Sequence, residues 1–162
     1  MQYSILGPLE LSDDGLVIDI SGGKQRALLA MLLLDANRIV STDRLIDALW
    51  EEAPPQTASK ALQVYVSQLR KILGKERLQT KAPGYLLRVA EGELDLEHFQ
   101  RLFGAGRFRE ALALWRGPPL AEFGQLRFAQ GDIARLEELR QACLEKRLEA
   151  DLLVGRHAEL VG

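Results

Sequence analysis

The chain has 162 residues, of which 47% are hydrophobic and 27% charged, and its formal net charge is −2. These proportions are typical of one ordinary globular domain or two small ones, and they argue against a disordered chain. The longest apolar run, residues 27–34, is too short to cross a membrane, and no secretory leader follows Met1. The single cysteine, Cys143, fits a reducing compartment. We therefore expect a soluble cytoplasmic protein without a membrane segment.

The charge is distributed unevenly along the chain. Residues 56–88 carry seven lysines and arginines against Glu76 alone, a local excess of +6 in a mildly acidic protein. Binding to nucleic acid phosphates requires such a local basic patch, whereas a basic chain as a whole is not needed. The stretch 56–88 is therefore the candidate for contact with nucleic acid.

The first twenty residues predict a small antiparallel sheet. Short runs of β-branched and apolar residues lie at 3–6, 9–11 and 16–20. Asp13-Asp14-Gly15 separates the last two runs and is typical of a hairpin turn, because Asp and Gly tolerate positive φ.

Three helices are predicted next. The first covers about 22–37 and is apolar on most sides, as expected of a central core helix. The second covers 43–50 and is capped by Ser41 or Thr42. The third covers about 57–73, and the glycine that follows stops it.

A basic hairpin follows the third helix. Its predicted strands are 78–81 and 85–89, joined by Ala82-Pro83-Gly84. The acidic residues that come next mark a boundary. We therefore expect a first domain at 1–90 and a second at 91–162.

The second domain is predicted to be helical. The predicted helices are 95–103, 107–115, about 130–154 and one that begins at Arg156. The long third helix of this set has a continuous apolar stripe of Ile133, Leu136, Leu139, Cys143, Leu148 and Leu152. We expect this stripe to pack on the first domain or on another copy of the chain, because its own neighbours are too few to cover it.

The helix at 57–73 divides into two faces on a helical wheel, without exception among fourteen residues. Its apolar face comprises Ala61, Leu62, Tyr65, Val66, Leu69, Ile72 and Leu73. Its outer face comprises Lys60, Gln63, Val64, Ser67, Gln68, Arg70 and Lys71. The outer face holds no acid, whereas an ordinary solvated helix mixes both charge signs and gains pairs between residues four apart.

This outer face has the chemistry of a DNA-reading surface. Gln and Arg side chains make bidentate contacts with base edges, and a small apolar group such as Val64 can meet a thymine methyl. We expect Gln63, Val64, Ser67 and Lys71 to face base edges, Lys60 and Arg70 to lie closer to phosphates, and the hairpin to anchor the DNA backbone. The predicted DNA-binding residues are Lys60, Gln63, Val64, Ser67, Arg70, Lys71, Lys81 and Tyr85. The alternative, a merely solvated amphipathic helix, does not explain the capped helix before it and the basic hairpin after it.

Several strings resemble one bacterial family. They are residues 5–9, 25–29, 43–50, 61–67, 83–87, 112–120 and 155–160. They are similar to the SARP family of transcriptional activators, which joins an OmpR-type winged helix-turn-helix to a bacterial transcriptional activation domain.

The resemblance implies an α+β fold. A four-stranded N-terminal sheet, three helices and a hairpin wing would precede an all-α, tetratricopeptide-like segment. It also implies double-stranded DNA as ligand and RNA polymerase as partner, contacted through residues 51–56 or the C-terminal helices, and a homodimer stays open. A complete activation domain has a full set of helical hairpins, so we expect a C-terminally truncated regulator, the first part of a longer protein.

Other motifs carry weaker signals. Gly22-Gly23-Lys24-Gln25 superficially matches a phosphate-binding loop, but the upstream glycine and the magnesium-binding Ser or Thr are missing. His98 and His157 have no partner at metal-ligand spacing, and Cys143 lies on an apolar stripe. We expect no catalytic residues, no metal and no cofactor. Two alternatives stay open: an interaction module that binds only proteins, and a regulatory domain of a larger ATPase-bearing regulator.

Overall fold

The computed structural model describes residues 1–161. A short 3-10 helix, Ala121–Phe123, precedes the last α-helix. The other elements are β1 Gln2–Ser4, β2 Glu10–Asp13, β3 Leu16–Ile18, α1 Gly23–Leu34, β4 Ile39–Ser41, α2 Thr42–Leu49, α3 Ala58–Leu73, β5 Leu78–Lys81, β6 Gly84–Leu87, α4 Asp95–Gly104, α5 Phe108–Ala113 and α6 Arg127–Val161. None of the helices in residues 1–161 has both the length and the apolar character of a membrane-spanning segment.

The N-terminal sheet is antiparallel with the order β1-β2-β3, as predicted. Asp14 and Gly15 have φ angles of 50° and 80°, so the β2–β3 hairpin has the two positive φ values that a tight hairpin turn favours. The expected fourth strand is absent from this sheet within residues 1–161. Leu94 lies in its place and makes a single parallel bridge with Tyr3.

The three predicted helices of the first half are confirmed. Eight of the twelve residues of α1 are buried, which makes α1 the central core helix. Ser41 is the residue that caps α2, since its hydroxyl accepts a hydrogen bond from the Arg44 N–H at 3.1 Å. Helix α3 ends at Leu73, and the next residue, Gly74, has a φ of 98°.

A second sheet contains a strand that the sequence analysis missed. Its order is β4-β6-β5, so the predicted hairpin β5–β6 gains β4 as a partner. The three residues of β4 are too few to show an alternating pattern. The backbones of β4 and β6 approach closely, because a Cβ atom at Gly84 would lie 1.9 Å from the Val40 carbonyl oxygen. Only glycine fits at this position.

The C-terminal half is helical, with two departures from the prediction. The helix expected at 107–115 is shorter, covering Phe108–Ala113. No new helix begins at Arg156, because α6 continues unbroken through Gly155. One glycine costs a helix about 1 kcal/mol, and without a proline or a competing cap it does not end the helix.

The apolar stripe of α6 is covered only in its first half. Leu136 and Cys143 are buried, and the Cys143 thiol contacts the Phe108 carbonyl oxygen of α5 at 3.7 Å. Leu148 and Leu152 are 54% and 61% exposed. The expected packing against the first domain therefore applies to the start of α6, where Phe128 lies beside residues of α1. Further along α6, around Cys143, the contact is with α5 of the same half.

The carboxylate of Asp95 joins the two halves at the start of α4. It accepts hydrogen bonds from the backbone N–H of Ile5 at 2.9 Å and of Leu6 at 2.9 Å. Burial raises the pKa of Asp95, although these hydrogen bonds act in the opposite direction. The connection between β1 and β2 therefore depends on a side chain of the helical half for its hydrogen bonding.

The loop after α5 contacts the same connection from the other side. The Arg116 N–H donates to the Leu6 carbonyl at 2.8 Å, and the Leu120 N–H donates to the Gly7 carbonyl at 2.7 Å. Backbone donors and acceptors that lie outside regular sheets need such partners when they are buried. Residues 5–7 are thus enclosed by the helical half.

Two glutamates extend the junction. Glu122 accepts hydrogen bonds from the Leu9 N–H at 3.0 Å and the Arg26 Nε at 2.8 Å. The bond from Arg26 lowers the pKa of Glu122. Glu51, which follows α2, accepts a hydrogen bond from the Arg127 N–H at 2.6 Å, at the start of α6. The loop between α2 and α3 is therefore attached to the helical half.

We predict that Asp95→Ala lowers the free energy of unfolding by about 2–3 kcal/mol, because a buried N–H left without its acceptor costs about 1–3 kcal/mol. Chemical denaturation of the whole chain measures this change. Glu91→Ala is the matched control, since its side chain is 81% exposed and forms a surface pair with Arg101. We expect a change within about 0.5 kcal/mol for the control. Equal stability losses in both variants would contradict the role given to Asp95.

We also predict that residues 91–162 alone do not fold independently. In the whole chain α4 packs on β1, and the start of α6 packs on α1. Removing residues 1–90 exposes these apolar surfaces, so we expect aggregation or a molten state. Size-exclusion chromatography and amide NMR spectra compare the fragment with the whole chain. A monomeric fragment with dispersed signals and cooperative unfolding would be evidence against this dependence.

Candidate nucleic-acid interface

The helix α3 is held in place by one face. Leu62, Val66 and Leu69 are buried, each at most 1% exposed, and α3 packs against α1 and α2. The Tyr65 ring stacks on Trp50 with the ring centroids 6.3 Å apart. These contacts confirm the predicted apolar face. They leave the opposite face of α3 directed to solvent.

The solvent-facing surface of α3 carries most of the predicted site. Its exposed residues are Ser59, Lys60, Gln63, Val64, Ser67, Gln68 and Lys71. At 1.5 Å per residue, the span from Lys60 to Lys71 is about 16 Å. The exposed set contains two lysines and no acid. Val64 is 51% exposed in the middle of this polar surface, where no protein group covers it.

The hairpin β5–β6 extends this surface, and we call it the wing. Lys81 is exposed at the end of β5, beside the turn. A shallow cavity of about 420 Å³ lies between the wing and the end of α3, lined by Arg70, Lys75, Gln79, Thr80 and Lys81 among others. Its three cationic side chains and its amide and hydroxyl groups suit an anionic ligand. The surface of α3 therefore continues into a basic concavity.

Two predicted residues are placed differently from the exposed set. The half-buried Arg70 donates from its Nε to the Leu78 carbonyl oxygen at 2.9 Å, and from its Nη2 to the Thr80 hydroxyl. Tyr85 is only 9% exposed and belongs to the core cluster. The Arg70 guanidinium lies 5.9 Å from the centre of the Tyr85 ring. The structure therefore does not support the predicted direct contact by the Tyr85 ring, which lies beneath the surface.

The sequence analysis did not select Lys75 as a site residue. Lys75 lies in the turn between α3 and β5, is exposed, and lines the cavity. A turn has no periodicity that could assign its side chains to a face. The local charge excess in residues 56–88 includes Lys75, but it does not show on which surface Lys75 lies.

The glycine-rich segment at 22–25 begins α1, as predicted. The Lys24 ammonium donates to the Leu49 carbonyl oxygen at 2.8 Å and lies 5.1 Å from the centre of the Trp50 ring. His98 and His157 are exposed, and burial raises the pKa of the Cys143 thiol. In the described part of the chain, no group of three His, Cys, Asp or Glu residues is arranged to hold a metal ion.

Two family models match the chain. The family described as "Transcriptional regulatory protein, C terminal" matches residues 20–87. The family described as "Bacterial transcriptional activator domain" matches residues 86–162. The first match contains α3 and the wing. The second begins at the end of the wing and covers the helical half.

Curated relatives match over nearly the whole chain. The regulatory protein AfsR of Streptomyces coelicolor is 40% identical over 99% of this chain, which spans 18% of AfsR. The transcriptional regulatory protein EmbR of Mycobacterium tuberculosis is 34% identical over 99% of this chain, which spans 47% of EmbR. The chain thus spans less than half the length of these two relatives.

A solved structure gives the same fold. Mycobacterium tuberculosis EmbR in complex with a low-affinity phosphopeptide aligns with a TM-score of 0.86 and 34% identity, covering 99% of this chain and 48% of that chain.

The regulatory protein DnrI of Streptomyces peucetius is 36% identical over 99% of this chain, which spans 68% of DnrI. With the winged fold, both family models and these relatives in agreement, the chain belongs to the SARP family of bacterial transcriptional regulators.

Proposed function

We propose that this protein is a sequence-specific DNA-binding transcriptional regulator that activates promoters by recruiting RNA polymerase. One observation carries the proposal: an exposed helical face without acidic residues continues into a basic wing. The names of the relatives, which are regulatory and transcriptional regulatory proteins, support it. We also propose a cytoplasmic location, a non-enzymatic role and a division of labour between residues 1–90 and 91–162.

The proposed DNA complex has α3 in the major groove. This groove is about 12 Å wide and admits an α-helix, whereas the minor groove is too narrow for one. Gln63, Val64, Ser67 and Lys71 would face base edges, because they lie opposite the buried face of α3. Lys60 and Lys81 would contact phosphates on either side of the groove.

The proposed contact with RNA polymerase involves residues 51–56 or the C-terminal helices. Residues 52–56 are exposed between α2 and α3, beside the DNA-facing helix. Glu51 joins this loop to the first turn of α6. A partner that touches the loop would therefore also be close to the helical half. A homodimer stays an open possibility for this function.

An interaction module that binds only proteins is the second candidate. The exposed apolar residues at the end of α6 favour it, since Leu153 and Val154 are 65% and 70% exposed. The two functions differ in their salt dependence, because phosphate binding releases counterions and weakens steeply as salt rises.

The proposal is tested by selecting bound duplexes from a random-sequence library with the whole chain. We expect enrichment of a defined site, and an affinity that falls steeply between about 50 and 200 mM salt. An absence of enrichment together with salt-independent binding would exclude sequence-specific DNA recognition and leave the protein-only module.

We predict that Gln63→Ala weakens binding to the selected site by about 1–3 kcal/mol and leaves binding to random DNA nearly unchanged, because a bidentate base contact discriminates between sequences. Fluorescence anisotropy on both duplexes measures the two affinities. Gln141→Ala is the control, since Gln141 is exposed on α6, away from the proposed interface. Equal losses on both duplexes would show that Gln63 is not a specificity contact.

We predict that Lys81→Ala weakens binding to all sequences and lowers the slope of log affinity against log salt by about one, because one phosphate contact is lost. The measurement is a salt titration on a random duplex. Lys146→Ala, which removes an exposed lysine of α6, should leave the slope unchanged. An unchanged slope in Lys81→Ala would remove the wing from the interface.

A further inference from the structure

The side chain of Arg70 connects the proposed recognition helix to the wing. Its Nε donates to the Leu78 carbonyl oxygen at 2.9 Å, and its Nη2 donates to the Thr80 hydroxyl. Both acceptors belong to β5, while Arg70 lies in the last turn of α3. The guanidinium therefore bridges the two elements that would contact DNA.

The acceptor on Leu78 lies on the free edge of the sheet. The order β4-β6-β5 makes β5 an edge strand. The Arg88 N–H donates to the Arg77 carbonyl at 2.7 Å, so this pair is hydrogen-bonded, and the adjacent pair of Leu78 and Leu87 is not. The Leu78 carbonyl consequently points away from β6. Arg70 takes the position that a further strand would otherwise occupy.

Thr80 and Tyr85 complete the cluster. Thr80 lies on the same side of β5 as the buried Leu78, because side chains two residues apart share a face. Tyr85 is the cross-strand partner of Thr80, and its ring lies under the Arg70 guanidinium. The planar guanidinium can thus donate to two acceptors in fixed directions while it lies over a ring, which a lysine ammonium cannot do.

We propose that Arg70 is a positioning residue that fixes the angle of the wing relative to α3 and thereby determines whether Lys81 reaches a phosphate. The inference rests on the proposed DNA-binding function. It replaces the expectation that Arg70, like Lys60, lies closer to phosphates than to base edges, because two donor groups of Arg70 are already occupied by β5. The competing account is a direct phosphate contact by Arg70.

The substitution Arg70→Lys separates the two accounts, because it keeps the positive charge and removes the planar set of donors. A positioning role predicts about tenfold weaker binding to selected and random duplexes alike, the size expected when a charged group loses its hydrogen bonds. It also predicts that the slope of log affinity against log salt is lower than in the wild type by about one, since the displaced wing loses its phosphate contact. A direct contact predicts an unchanged slope, because lysine also neutralises a phosphate.

Thr80→Val tests the same contact without altering any charge. It removes the acceptor of the Arg70 Nη2 and keeps a β-branched residue in the strand. We expect a smaller loss than in Arg70→Lys, in the same direction, and no additional loss when the two are combined. Arg101→Lys is the matched control, an exposed arginine of α4 that pairs with Glu91. We expect its affinity and salt slope to equal those of the wild type.

A double-mutant cycle of Arg70→Lys and Lys81→Ala gives the decisive measurement. If Arg70 acts through the wing, Lys81→Ala costs at most about twofold in the Arg70→Lys background, because its contact is already lost. Circular dichroism and thermal unfolding establish that each variant is folded. Amide hydrogen exchange of β5 and β6 should be faster in Arg70→Lys, with or without DNA.

Two results would overturn the inference: a wild-type salt slope in Arg70→Lys, or losses that multiply in the double variant. Either would leave the proposed function intact if the wild type binds its selected duplex. A wild type without salt-dependent DNA binding would remove the proposed function, and the role of Arg70 with it. Faster exchange in the wing together with a coupled cycle would establish the positioning role.

Discussion

The position of the proposed DNA-facing surface depends on how the connection between β1 and β2 is held. Residues 5–7 are irregular backbone, so their N–H groups have no sheet partner and need acceptors from elsewhere. The Asp95 carboxylate accepts from Ile5 and Leu6, whose side chains are fully buried in the core that contains α1. Because α1 packs against α3, the orientation of the exposed face of α3 depends on a carboxylate of the helical half. The two halves follow one another along the sequence, but in the structure hydrogen bonds between them connect one to the other.

The elements that the sequence predicted best are those with strong periodicity or a distinctive turn. The two faces of α3 and the Asp14–Gly15 turn follow from rules that act within a few residues. Long-range pairing is what escaped prediction. The strand β4 exists because Ile39–Ser41 pairs with β6. Within residues 1–161 the first sheet has three strands, and Leu94 adds a single bridge to Tyr3. The unbroken course of α6 differs from the predicted start of a new helix at Arg156, because one glycine alone does not end a helix.

The candidate site was predictable where the pattern along one helix decides which residues are exposed. It was not predictable where a neighbouring element decides this. A helical wheel assigned Lys60, Gln63, Val64, Ser67 and Lys71 to one exposed face, and all of them are exposed. The same wheel grouped Arg70 with them, because it contains no information about β5. Tyr85, which is also among the predicted residues, lies in the basic hairpin, yet its ring is buried and the Arg70 guanidinium lies 5.9 Å from the ring centre. A pattern along one helix cannot distinguish a side chain that faces solvent from one that faces a neighbouring element.

The local charge excess in residues 56–88 therefore overstates the number of charges available to DNA. Arg70 and Arg77 both donate to backbone carbonyl oxygens, of Leu78 and Leu73, at 2.9 and 3.1 Å. The four lysines of the stretch and Arg88 are all exposed. The engagement of Arg70 and Arg77 follows from their chemistry, since a planar guanidinium fits fixed carbonyl groups and a flexible ammonium fits a mobile phosphate. The dependence of DNA affinity on salt measures the phosphate contacts that form, not the number of charged residues in the chain. The four lysines and Arg88, and not the whole basic stretch, are accordingly the residues that should set the electrostatic part of the affinity.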